Sequence, residues 1–174
     1  MKRTGTALLV AGLAVAGLAG CESEQTSSQG STTTAAPALW NPCTEIPDDV
    51  LRSAGVDPGT EEKGVGGHDQ SGWEICAWDA PEYALTVYTT NKTVEQFEQK
   101  PGNTEFRNVT IAGRAGREFK VEGASKDLGC DVVFPAQQGV VQLEILNSPL
   151  ETGLEDPCVF LQRVGEVLVP ILPN

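Results

Sequence analysis

Residues 130–145, CDVVFPAQQGVVQLEI, decide the fold. Cys130, Val132 and Phe134 alternate along the first half, which Pro135 ends. After Gly139, Val141, Leu143 and Ile145 alternate with Gln142 and Glu144. Successive side chains of a strand point to opposite faces, so this spacing predicts half-buried strands, the second with one wet face. Similar pieces lie to either side. Ile75–Trp78 and Leu85–Tyr88 flank an Asp79-Ala80-Pro81-Glu82 turn, and Val109 and Ile111 run into Gly113 before Arg117, Phe119 and Val121 leave it as a hairpin would. Short strands joined by tight turns predict a mainly antiparallel sheet of five to six strands.

Helical signals are few and sit around this block. Pro47 suits a first helical turn, and Asp48–Ala54 ends at Gly55. Thr93 with Gln96 fits a capping box for a brief helix through Lys100, stopped by Pro101. At the C-terminus Asp156 can cap, Pro157 fits the first helical position, and Phe160, Val164, Val167, Leu168 and Ile171 form an apolar stripe. The expected fold class is α+β: the antiparallel sheet carries a short N-terminal and a longer C-terminal helix on one face and leaves the other open.

The first twenty residues read as an export signal. Lys2 and Arg3 precede an uncharged apolar run, Ala7–Ala19, of about 13 residues, shorter than the ~20 a spanning helix needs. The run ends in Leu18-Ala19-Gly20-Cys21, which resembles a bacterial lipobox: small residues admit the peptidase, and the Cys21 thiolate takes the diacylglyceryl group. The competing reading is cleavage after Ala14-Val15-Ala16 with Cys21 a stray thiol. Acylation implies attachment to the outer face of the cell membrane through a diacylglycerol and palmitate anchor, since two chains hold stably where one is marginal. Residues 21–39 lack aromatics and hydrophobic periodicity, so they read as a Ser/Thr-rich tether with a mean reach of about 25 Å. A single domain over 40–174 follows, long enough for one core.

Four cysteines remain, Cys43, Cys76, Cys130 and Cys158. In an oxidising compartment they read as two disulfides; neither CxxC nor paired His supports zinc. Three pairings are open. Matching local settings favours Cys43 with Cys158, both in Asx-Pro-Cys tripeptides, and Cys76 with Cys130, both opening strand-like runs.

The lipobox, tether, Asn41-Pro42-Cys43, first helix ending Leu51-x-x-x-Gly55, Cys76-x-Trp78 strand, Cys130-x-Val132 strand and closing Asp156-Pro157-Cys158 helix together resemble the actinobacterial lipoproteins of the domain of unknown function 3558 family, over about residues 39–173. Asn41 stands where Asp is more usual, and both residues cap. The resemblance implies location and architecture; it brings no catalytic residue.

Twelve Lys and Arg against 24 Asp and Glu give a net charge of −12, which argues against nucleic acid as a partner. His68 lies in the glycine-rich run 64–72, which lacks the Lys-Ser/Thr ending of a phosphate loop and reads as an exposed loop. GxSxG, SxxK and HExxH are absent, so no catalytic residue, metal ligand or cofactor is assigned. The many carboxylates read as solvated surface, without the alternating pattern of a calcium loop. Arg107, Arg114, Arg117 and Lys120 form a basic island, read as the wet face of a hairpin with an anionic envelope group as the sharper alternative. Trp78 reads as core beside a disulfide, whereas Trp73, just past the glycine run, is a candidate to stack on a ligand. Trp73, Arg114 and Arg117 are thus the weak ligand-binding candidates. Two functional classes follow: a non-catalytic module binding an envelope ligand or envelope protein, and a carboxylate-dependent envelope enzyme such as a glycan hydrolase.

Overall fold

A computed structural model describes residues 38–174; the leader, Cys21 and nearly all of the tether lie outside them. Among these residues seven strands form one antiparallel sheet: β1 (Glu62–Lys63), β2 (Trp73–Asp79), β3 (Tyr83–Thr90), β4 (Asn103–Ile111), β5 (Arg114–Val121), β6 (Gly129–Ala136) and β7 (Gly139–Asn147), ordered β1-β2-β3-β7-β6-β5-β4. The sheet is two meanders, β1–β3 and β4–β7, joined along the β3–β7 seam. Six strands are those the alternation predicts. The seventh, β1, is two residues paired with Ala77 and Cys76, too short to show periodicity.

Among the described residues four α-helices accompany the sheet: α1 (Pro42–Glu45), α2 (Asp48–Ala54), α3 (Val94–Glu98) and α4 (Pro157–Leu168). The N-terminal segment is two short helices where one is expected. The Asn41 side chain caps α1 by accepting from the Cys43 N–H, and Pro47 then stands before α2 and not in its first turn. α2 ends at Gly55, whose φ of 92° is left-handed. α3 has the expected capping box, Thr93 and Gln96 satisfying each other's backbone N–H groups. Among the described residues no helix is long and apolar enough to cross a membrane.

The main core lies between the first face of the sheet and α1, α2 and α4, with Trp78, Leu85, Val87, Val132, Phe134, Leu143, Ile145, Leu161 and Leu168 at its centre. Trp78 is 1% exposed, as a packing role requires. The stripe of α4 is turned from the expected one: Leu161, Val164, Gly165 and Leu168 are buried, Phe160 is half-buried and Ile171 is exposed. Pro170 breaks the α-helix into a tighter turn after Leu168, so the helical phase does not carry through to Ile171.

Both disulfides differ from the preferred pairing. They are Cys43–Cys76 and Cys130–Cys158, with Cα atoms 5.3 and 5.1 Å apart. Each Asx-Pro-Cys places its cysteine second in a helix, and each bond ties that helix start to a strand. The shared motif therefore marks a shared job, not partnership.

The second face is not open. The β3–β4 connection crosses it, and Phe97 of α3 packs with Phe119, Val133 and Val140 as a smaller core, with Trp73, Val94 and Phe106 against it.

Candidate functional site

β6 is buried on both faces, and the residue it turns to the second face between apolar neighbours is an acid, Asp131. The two-residue Gln137–Gln138 turn sets the hairpin register, which places Asp131 opposite Glu144 and Val133 opposite Gln142. Across the seam, β3 brings Tyr88 opposite Gln142 and Thr86 opposite Glu144. Because side chains two apart share a face, Tyr88, Gln142, Glu144 and Asp131 form one polar patch over three adjacent strands.

Its hydrogen bonds run diagonally. The Tyr88 hydroxyl donates to Glu144 Oε2, and Gln142 Nε2 donates to Asp131 Oδ1 at 2.6 Å. Asp131 is 2% exposed and Gln142 8%, so the expected wet face of β7 is largely dry here. Burial pushes the Asp131 carboxyl well above the usual carboxylate range, and the facing Glu144 adds to the rise. The Tyr88 phenol is likewise raised, first by burial and then by Glu144. Tyr88 is consequently a neutral donor to Glu144, and Asp131 holds its proton more tightly than an exposed carboxyl does.

The patch floors a cavity of about 280 Å³, lined also by Trp73, Ile75, Val65, Gln70, Lys100 and Val121. Trp73 and Tyr88 meet edge to face, centroids 6.2 Å apart, and Phe97 also meets Trp73 edge to face at 6.0 Å. One rim is the glycine-rich loop, where Val65 and His68 bridge across Gly66 and Gly67 at φ 57° and 77°. A β-carbon on Gly64 would come 2.1 Å from the His68 carbonyl oxygen, so glycine is needed there for a backbone turn. His68 itself is exposed.

Trp73 is thus the one sequence-level candidate that enters the cavity. Arg114 is committed elsewhere: it donates to the Pro135 and Pro173 carbonyls and lies 5.3 Å from the Phe134 ring centroid. Arg117 pairs with Glu98 at 2.6 Å and lies over Phe106. Arg107 pairs with Glu118, whose other oxygen accepts from Gln162 of α4 at 2.8 Å. The three arginines of the basic island are thus spent on internal partners. Glu61 and Glu118 each lie close to a disulfide, but sulfurs in S–S bonds offer no thiolate to a metal. Asp131, Gln142, Glu144 and Tyr88 were not singled out as site residues from sequence. The available signal was hairpin arithmetic: residues equidistant from a Gln137–Gln138 turn face each other, and two such residues are acids.

A second cavity, about 320 Å³, lies where Leu39 and Trp40 meet Pro173 and Asn174; among the described residues that line it, Glu45 is the one with a charged side chain. A family model described as "Protein of unknown function (DUF3558)" matches residues 16–170. No curated protein and no solved structure matches the chain.

Proposed function

Since the chain belongs to this family of unknown function, which brings no activity with it, we propose that the protein is an envelope lipoprotein whose domain binds a small ligand in the second-face cavity without altering it. Export, acylation at Cys21 and the tether would hold that domain off the outer face of the cell membrane. The observation that carries the binding reading is the mixed lining: two aromatic rings and three aliphatic side chains around a few convergent polar groups, two of them nearly dry.

The arrangement speaks less for a glycan hydrolase. Such an enzyme sets its carboxyls on either side of the scissile bond. Asp131 and Glu144 project side by side from paired strands, so they do not straddle a substrate. Each is also held to the sheet by a neighbour.

Tryptophan fluorescence tests the reading. Small-molecule fractions from the envelope should shift wild-type emission, and Trp73→Phe should abolish the shift while Trp40 and Trp78 still report a folded domain. A response that persists unchanged in Trp73→Phe places the ligand elsewhere and overturns the assignment.

A further inference from the structure

The oxygens of the patch are only half satisfied. Tyr88 serves Glu144 Oε2 and Gln142 serves Asp131 Oδ1. Among the described residues no group hydrogen-bonds Glu144 Oε1 or Asp131 Oδ2, although both side chains line the cavity and Asp131 is nearly inaccessible. Register partners on one face hold their β-carbons about 4.5–5.5 Å apart, close enough for one small donor to reach both free oxygens. Two carboxyls so placed repel when both are ionised. A positively charged group bearing several N–H donors relieves that repulsion and can serve both oxygens.

The walls fit the same group. Trp73 and Tyr88 present perpendicular rings, which attract a cation through their faces. Val65, Ile75 and Val121 supply apolar surface for an alkyl stem. A divalent metal is poorly served, because calcium takes six to eight oxygens. The volume, below the usual range for drug-sized ligands, suits a head group with a short stem.

Resting on the binding reading above, we propose that the cavity takes a ligand through a protonated amine seated between Asp131 and Glu144, and that Asp131 gives its proton to water as the amine enters. The ionisable groups facing Asp131 are Glu144 from β7, Tyr88 from β3 and Lys100 after α3; its β5 partner, Phe119, carries no charge. Lys100 is exposed on the rim, where water screens it. The amine replaces the proton as the charge opposite Glu144, so binding is an exchange of one cation for another. Its dissociation constant rises about tenfold for each pH unit below the Asp131 titration.

The test uses the full chain in detergent, with n-butylammonium chloride and its neutral counterpart 1-butanol as probes, Trp73 emission as the binding signal and a pH indicator in weak buffer. Butylammonium should saturate the signal and release up to about one proton per site, and 1-butanol should do neither. Asp131→Asn keeps an acceptor for Gln142 and should bind with no proton release and a flat pH profile. Equal binding of 1-butanol, or butylammonium binding without proton release, overturns the proposal. If envelope fractions move Trp73 emission and butylammonium does not, the cavity binds a ligand of another class, and this inference alone falls. Silence to both defeats the binding reading with it.

Discussion

Asp131 shows what one buried acid does to a small sheet. Its folded proton affinity lies above that of an unfolded aspartate, which titrates near pH 3.9. Between those two titrations the folded chain binds more protons than the unfolded chain. The stability Asp131 contributes is therefore full below about pH 4 and is lost as pH rises to and through its folded titration. This is opposite in sign to a salt-bridged carboxylate. Urea midpoints of wild type and Asp131→Asn, followed from pH 4.5 to 8, should diverge in favour of the variant as pH increases. Parallel curves would mean that the carboxyl is ionised without penalty. Trp73 was legible in sequence from its place beside the glycine run. Asp131 was not, because an acid on a strand reads as solvated unless the far side of the sheet is known to be covered.

At the scale of elements, local chemistry was legible wherever a backbone group had to be satisfied nearby. The Thr93–Gln96 box, the Asp156 cap and Gly55 all stand where their residue types place them. Gly113 likewise forms a two-residue left-handed turn with Ala112, φ 78° and 49°, between β4 and β5. What failed needed distant information. The disulfide pairing depends on which strand lies under which helix, and the length of α3 says nothing of the face it covers. Gly116 of β5 is another such position, for a β-carbon there would lie 2.7 Å from Phe134 Cε1 and 2.9 Å from Val132 Cγ1. Both neighbours are fully buried in the main core and have little room to retreat. Gly116→Ala should destabilise by about 1–3 kcal/mol in chemical denaturation; a neutral result would mean the β5–β6 layer is looser than its packing implies.

For the molecule as a whole, the proposed acylation makes a prediction about placement. A net charge of −12 disfavours contact with anionic lipid, so under the proposed acylation association with the membrane would fall to Cys21. Cys21→Ala should move the protein from the sedimented membrane fraction to the soluble one, and unchanged sedimentation would refute acylation. The α+β class and the antiparallel sheet were legible because alternation marks strands singly. The order in which strands lie was not, since the β3–β7 seam joins segments far apart in the chain.

That seam bears on when the protein becomes competent. Tyr88 and Trp73 belong to the first meander, whereas Asp131, Gln142 and Glu144 belong to the second, and the Tyr88–Glu144 bond spans 56 positions. Contacts of such long sequence separation form only after the entropy of closing the intervening loop has been overcome. A nascent copy halted after β3 carries both rings and none of the acids opposite them. If the proposed ligand binds, its capture would thereby be reserved for finished molecules, and an occupied cavity would be a proofread sign that both halves have met.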